Sequence, residues 1–329
     1  MNISNFLLYL LASLILFVLP TTFVQAENVD RIDVTGIAAD QKGNIYICGM
    51  FDGFAVFGRH KLQSNKGSTD IFLAKYRTDG TCIWAVRAGG DGTDVPKSIV
   101  VDQKGNVLIA GNFTSEADFG VIKVDSKGSS DVFVARYNTS GSANWVVSFG
   151  GKGDDEMVQL TKDESGSIYA CGNYSDDFTL RGKTLKAFSR NNAFIVNLSP
   201  GGSVRWASRV GGSEATTFAT SLSVDKAGNC IHTGYYTGNI QIDNRKVKGS
   251  QSDDIYFVKF SPEGNMTWVH TYASDLADQS TGISLNDAGH IAFTGRTVTS
   301  VETRELFVSK LAEDGSTIFQ KKMAAERMV

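Results

Sequence analysis

Five glycines recur along this chain at almost constant intervals: Gly43, Gly105, Gly166, Gly228 and Gly289 are separated by 62, 61, 62 and 61 residues. A second series, Gly49, Gly111, Gly172, Gly234 and Gly295, keeps the same spacings, and a third column reads Trp84, Trp145, Trp206, Trp268 and Phe319. Self-similarity at a fixed period marks copies of one supersecondary unit that bury their apolar faces against each other. Five copies, at about residues 32–93, 94–155, 156–216, 217–278 and 279–320, fill nearly all of residues 27–329 and leave no room for a second domain.

Within a copy the apolar period is two, as strands require. The second copy shows it best: Ser98 to Asp102 is a β-branched run, Asp102 to Asn106 a tight turn around Gly105, and Val107 to Gly111 a second run. Asp131 to Tyr137 makes a third strand, Asn138 to Gly141 a turn, and Ala143 to Phe149 a fourth. Ile37, Ile99, Leu160, Leu222 and Ile283 occupy one repeat position, and Phe72, Phe133, Phe194, Tyr256 and Phe307 another. Such rows are expected to pack between neighbouring copies. With no helical periodicity, the expected fold is all-β, a β-propeller of five four-stranded blades. The alternative is a partial ring completed by oligomerisation, because nothing obvious stitches the first copy to the fifth. The fifth copy also has 12 residues from Gly295 to Phe307, against 22 from Gly111 to Phe133.

Three pieces in combination, Asp-x-x-Gly-Asn before a β-branched strand ending in Gly, Asp-Val-Phe-Val-Ala-Arg-Tyr-Asn from Asp131, and Asn-Trp-Val-Val-Ser-Phe-Gly-Gly from Asn144, resemble the bacterial SBBP β-propeller repeat. The resemblance extends over all five copies. It implies a propeller and an exported protein, and it brings no catalytic residues.

Residues 1–26 carry no Lys, Arg, Asp or Glu, and an apolar stretch from Phe6 to Leu19 stops at Pro20, with Val24-Gln25-Ala26 beyond it. This layout predicts a signal peptide cleaved after Ala26, hence a secreted, periplasmic or cell-surface location with no membrane span afterwards. The net charge of -3 without a basic run argues against nucleic acid as a partner. Cys48 and Cys171 share a repeat position with Ala110, Thr233 and Thr294, so the four cysteines read as packed free thiols rather than disulfides.

If strands a to d run outward from the axis, the a–b and c–d turns share one face and the b–c and d–a connections the other. The first face carries tight turns only. The second carries the irregular segments, such as Ala117 to Gly128, and is the expected interaction surface. Its d–a loops hold acids beside glycines, and Asp91, Asp94, Asp154 and Asp155 are candidate calcium ligands. The competing reading makes them turn acceptors, since no complete calcium loop is present. The Trp column reads as core rather than a sugar platform. Asp70 with Lys75, Asp131 with Arg136 and Asp254 with Lys259, at the two ends of the third strand, read as exposed structural pairs. His60, His232, His270 and His290 share no repeat position and make no metal spacing.

A catalytic site needs unlike groups converging in one cleft, and here the repeat symmetry is kept. The expected function is therefore a binding or scaffold module without a resident cofactor, its ligand an unassigned protein or carbohydrate. A polysaccharide hydrolase or lyase at the channel mouth is the first alternative, resting on Arg59-His60-Lys61 and Tyr235-Tyr236, which have no copies. A purely structural surface repeat is the second.

Overall fold

The computed structural model describes residues 29–65, 67–180, 182–298 and 304–323, so the expected signal peptide and part of the short fifth b–c connection lie outside the described residues. The described residues contain strands and no helix. Twenty strands form five antiparallel meanders, each in chain order a-b-c-d. The third unit is representative, with Asp155–Lys162, Ile168–Tyr174, Asn192–Leu198 and Val204–Gly211 as neighbours. The first unit begins at Val29–Ala39, the second at Val95–Val101, the fourth at Thr216–Val224 and the fifth at Ala277–Leu285.

The Gly and aromatic columns turn out to be one cross-strand device. Gly49, Gly111, Gly172, Gly234 and Gly295 on the b strands pair directly with Phe72, Phe133, Phe194, Tyr256 and Phe307 on the c strands. Each a strand bulges beside that glycine, as between Met157 and Gln159. A β-carbon on Gly172 would sit 2.0 Å from the Glu156 carbonyl oxygen and 2.7 Å from Cζ of Phe194. The bulge and the ring together leave room only for hydrogen, and the aromatic covers the gap.

The a–b turns have an equally local cause. Asp102 accepts from the amides of Lys104 and Asn106 through Oδ1, while Gly105, at φ 79°, returns its amide to the Asp102 carbonyl. A residue in that conformation is most cheaply glycine, which fixes the first glycine column.

Between units, each leading sheet face packs on the trailing face of the next. Tyr46, Cys48, Ile71, Leu73 and Trp84 of the first unit meet Ile99, Val107, Ile109, Phe133 and Tyr137 of the second, and the same positions form the next three junctions. The tryptophans are the pins. Nε1 of Trp84, Trp145, Trp206 and Trp268 donates to the carbonyls of Thr139, Pro200, Pro262 and Glu313, each in the c–d turn of the following unit, at 2.9 to 3.1 Å. All four cysteines are free and buried, and burial lifts the Cys48 thiol to about 12, far from a reactive thiolate.

Two expectations change. The b–c segments are ordered hairpins rather than irregular loops: Glu116–Phe119 with Ile122–Asp125, Phe178–Leu180 with Lys183–Leu185, and Ile240–Ile242 with Arg245–Val247, while His60–Gln63 folds back on the first unit's b strand. Two hairpins cross to the preceding unit's outer strand, Gly90 pairing with Ala117 and Gly211 with Gln241. The resulting sheets have seven strands at the first unit and six at the third, where the repeat alone predicts four everywhere.

The packing series also does not return from the fifth unit to the first among the described residues. Leu306, Phe319 and Met323 on the fifth unit's leading face are 41%, 42% and 47% exposed, although their counterparts elsewhere lie within junctions. On the first unit's trailing face Ile37, Ile45, Ile47 and Tyr76 are half-buried, where Ile99, Val107, Ile109 and Tyr137 are buried. Among the described residues the fifth unit is not seen packed on the first, so the closed ring of five blades suggested by the period is not established, and the sheets are open.

Candidate functional site

The face with the hairpins and d–a loops carries a groove of about 460 Å³ at the junction of the second and third units, lined by Ser129, Lys152, Gly153, Asp154, Ser175, Asp176, Arg190 and Asn191. Its floor follows from the repeat. The c strand of one unit begins beside the a strand of the next, and a backbone amide stitches them: Asp94 to the Thr69 carbonyl, Asp155 to Ser130 and Asp278 to Asp253. The intervening d–a loop is thereby lifted onto the surface, where Lys152 and Asp154 reach the groove. Ser175 Oγ ties the loop down by donating to the Asp154 carbonyl at 2.9 Å. The rim therefore offers two cationic and two anionic side chains with hydroxyl and amide groups, and no aromatic ring on which a sugar could stack.

Of the calcium candidates, the structure leaves Asp91 and Asp154 exposed on the loops, and turns Asp94 and Asp155 inward to 0% and 2% exposure. The four lie at two different junctions. Among the described residues no group of three or more His, Cys, Asp or Glu comes together as a metal shell. Asp94 Oδ2 accepts from the Gly90 amide at 2.8 Å and Asp155 Oδ2 from the Gly151 amide at 2.6 Å, which is the turn-acceptor role. Burial pushes both carboxyls up to about 7, and neighbouring Asp70 and Asp131 push the same way.

The expected third-strand pairs are not pairs and are not exposed. Asp70 and Lys75, at opposite ends of one strand, are both buried. Asp70 is held by Arg87 at 2.5 Å, Arg136 by Asp102 at 2.6 Å and Lys259 by Glu313 at 3.4 Å, while Lys75 lies over the Tyr46 ring. A strand of seven residues is simply too long for its ends to meet.

Of the residues read as lacking copies, Tyr236 in fact shares its strand position with Phe51, Phe113 and Tyr174, Arg59 and Lys61 are exposed, and the others hold structural places. His60 begins the short strand beside the first unit, Tyr236 is buried with its hydroxyl on the Lys248 carbonyl, and Tyr235 stacks on Phe218 at 5.0 Å. His232 is fully buried beside Tyr256, and desolvation lowers it to about 3, so it stays neutral. A larger groove of about 610 Å³ lies on the opposite, tight-turn face, lined by Asn229, Lys259, Thr267, Trp268, Ala312, Glu313 and Asp314. It follows the last Trp-to-turn junction. The sequence offered no signal for it beyond the shift from Trp to Phe319 in the next unit.

A family model supports propeller repeats in this chain. Residues 83–119, from the first unit's outer strand to the end of the first strand of the second unit's hairpin, match the SBBP family, described as a beta-propeller repeat. An uncharacterised WD repeat-containing protein of Acanthamoeba polyphaga mimivirus is 24% identical over 84% of this chain and 24% of its own length. The regulatory protein FlaEY of Caulobacter vibrioides is 30% identical over 45% of this chain and 16% of its own. The chain thus spans a quarter or less of the curated relatives it matches. Among solved structures, a protein of unknown function from Dyadobacter fermentans aligns over 89% of this chain and 94% of its own at 11% identity and TM-score 0.42. A polysaccharide lyase, an ulvan lyase, aligns over 87% and 69% at 12% identity and TM-score 0.46. At those scores neither carries an argument. The chain is an all-β protein of propeller repeats.

Proposed function

We propose that this chain is an exported binding or scaffold module whose interaction surface is the hairpin-bearing face, centred on the groove between the second and third units. The observation that carries the reading is the groove's rim: Lys152 and Arg190 stand with Asp154 and Asp176 on loops held by a rigid stack, without a nucleophile, base and oxyanion donor converging. Of the groups favouring an enzyme, Arg59-His60-Lys61 and Tyr235-Tyr236, His60 and both tyrosines are engaged in strand pairing and packing while Arg59 and Lys61 are exposed, so a hydrolase or lyase is the weaker reading. Export rests on the apolar leader that ends before Ala26.

The test is thermal melting of the purified chain with calcium, with EDTA and with a panel of oligosaccharides and charged peptides. A ligand that binds only the folded state raises the midpoint by RT ln(1 + [L]/Kd), about 2.7 kcal/mol at a hundredfold excess over Kd. Lys152→Ala with Arg190→Ala is expected to abolish the shift while leaving the ligand-free midpoint within about 1 °C, as surface substitutions do. No shift with any probe favours a protein partner or a structural role.

A second reading concerns the open ends. The fifth unit's leading face and the first unit's trailing face hold positions that elsewhere form junctions, so a partial ring completed by a second copy is supported by continuity with the four internal interfaces. Leu306→Glu with Phe319→Glu is then expected to convert an oligomer into a monomer in sedimentation analysis. A wild-type chain already monomeric at tens of micromolar rejects this reading.

A further inference from the structure

At the last junction the tight-turn face departs from the repeat. In the first three, the nearest heavy atoms to a β-carbon built on the c–d turn glycines Gly141, Gly202 and Gly264 belong to the indoles of Trp84, Trp145 and Trp206, so the turn backbone lies against the ring. On Gly315 they belong to His270, which holds the repeat position of Val86, Val147 and Ser208 and donates from Nε2 to the Asp314 carbonyl at 2.8 Å. The last turn is thus seated on an imidazole. Trp268, pinned through Nε1 to the Glu313 carbonyl, keeps its ring as a wall of the groove of about 610 Å³. Trp84 and Trp206 are buried, and Trp268 is half-buried.

The cation at this level differs as well. At the second junction Arg136 bridges two turns, bonding Asp102 of its own a–b turn at 2.6 Å and the Pro200 carbonyl of the following c–d turn at 2.7 Å. Lys259 takes that position in the fourth unit and is buried. Among the described residues its ammonium has one acceptor, Glu313 Oε1 at 3.4 Å, and no bond joins it to Asp225, the counterpart of Asp102. A shorter side chain with a single long contact therefore lines the groove where a guanidinium spans the gap, and it has N–H donors to spare.

These groups select a ligand class by exclusion. A cation meets Lys259, an anion meets Glu313 and Asp314 at the rim, and a purely apolar molecule leaves the buried ammonium unsatisfied. A neutral sugar brings C–H groups for an indole and hydroxyls that accept from an ammonium and donate to carboxylates. We propose that this groove binds a neutral saccharide, one ring stacked on Trp268 and its hydroxyls shared between the Lys259 ammonium and the side-chain oxygens of Asn229, Glu313 and Asp314. The acceptors have capacity: the Asn229 side chain is engaged through Nδ2 on Asp225, which leaves its carbonyl, and Asp314 is engaged through Oδ1 on the Ser316 amide and hydroxyl, which leaves Oδ2. The volume is ordinary for a small-molecule site. The site lies on the face opposite the hairpins and does not depend on the interaction surface proposed there.

The experiment titrates the purified chain with cellohexaose, laminarihexaose, xylohexaose, mannohexaose and maltohexaose at millimolar concentrations, with hexagalacturonate and a chitosan hexamer as charged comparators, read by calorimetry and tryptophan fluorescence. At least one neutral hexamer is expected to bind and to change the emission, more tightly than either comparator. Glu313→Ala removes a side chain that is 72% exposed and keeps the backbone carbonyl that receives Trp268. It is expected to weaken binding about tenfold, as loss of a hydrogen bond to a charged group does. Trp268→Leu is expected to abolish binding; if that variant does not fold, Glu313→Ala combined with Asp314→Ala decides. No binding by any neutral hexamer overturns the proposal, as does binding confined to a charged comparator or unchanged by Glu313→Ala. So does binding that Lys152→Ala with Arg190→Ala abolishes and Glu313→Ala does not, since the sugar would then sit on the hairpin face.

Discussion

Gly172→Ala is expected to destabilise the chain by about 3 kcal/mol or more, although it adds one methyl group. That methyl would stand 2.0 Å from the Glu156 carbonyl oxygen and 2.7 Å from the Phe194 ring, between a bulged a strand and a buried aromatic. Neither neighbour is the free end of a flexible side chain, so the a strand must leave its register or Phe194 its place in the core. Urea unfolding read by tryptophan fluorescence measures the cost. Gly182→Ala is the matched control: it has φ 85° but nothing within 4 Å, and should cost about 1 kcal/mol from backbone strain alone. If both variants lose the same amount, the b-strand glycine owes its place to conformational freedom and the steric account is wrong.

Trp206→Ala carries the second large effect, about 3–5 kcal/mol, from the cavity left between the third and fourth units. The indole lies 5.4 Å from Phe260 and 6.1 Å from Tyr169, ring centre to ring centre, and donates to the Pro262 carbonyl at 2.9 Å. Trp206→Phe separates these contributions. It keeps most of the packing but leaves that carbonyl without its donor, for about 1–2 kcal/mol. A loss as large for Phe as for Ala would mean that the hydrogen bond, rather than the ring, locks the junction. The fifth unit carries Phe319 at this position, where no following turn stands among the described residues.

Strand order was legible because turn chemistry and period act locally. Asp102 and Gly105 specify their turn through contacts four residues apart, and Asp131 to Tyr137 is the short apolar run of a strand buried on both faces. The junctions were legible as columns, since Trp84 and its copies recur only if the contact recurs. The hairpins were not: Glu116–Phe119 and Ile122–Asp125 are too short and polar to show a period, and are held partly by pairing with Gly89 and Gly90 of the preceding unit. Closure was also out of reach, because no local signal distinguishes a face that will be covered from one that will not. At the candidate site, sequence found Asp94 and Asp155 and offered them as calcium ligands or as turn acceptors, without placing them inside a junction. Their inward turn depends on amides of Gly90 and Gly151 and on acids about two dozen residues upstream, a juxtaposition visible only after the strands are paired.

The crossing hairpins bear on how such a chain reaches its final state. Backbone groups at Gly89 and Gly90, on the outermost strand of the first unit, find their strand partners in Ala117 and Asp118, made later during synthesis. Gly211 likewise waits for Gln241. Until the ribosome has released those segments, the finished sheet presents a raw edge to other nascent chains, the template from which intermolecular aggregation starts. A fragment cut at the apparent repeat boundary would keep that edge permanently. The natural excisable module is therefore offset from the repeat, ending after a hairpin rather than after an outer strand.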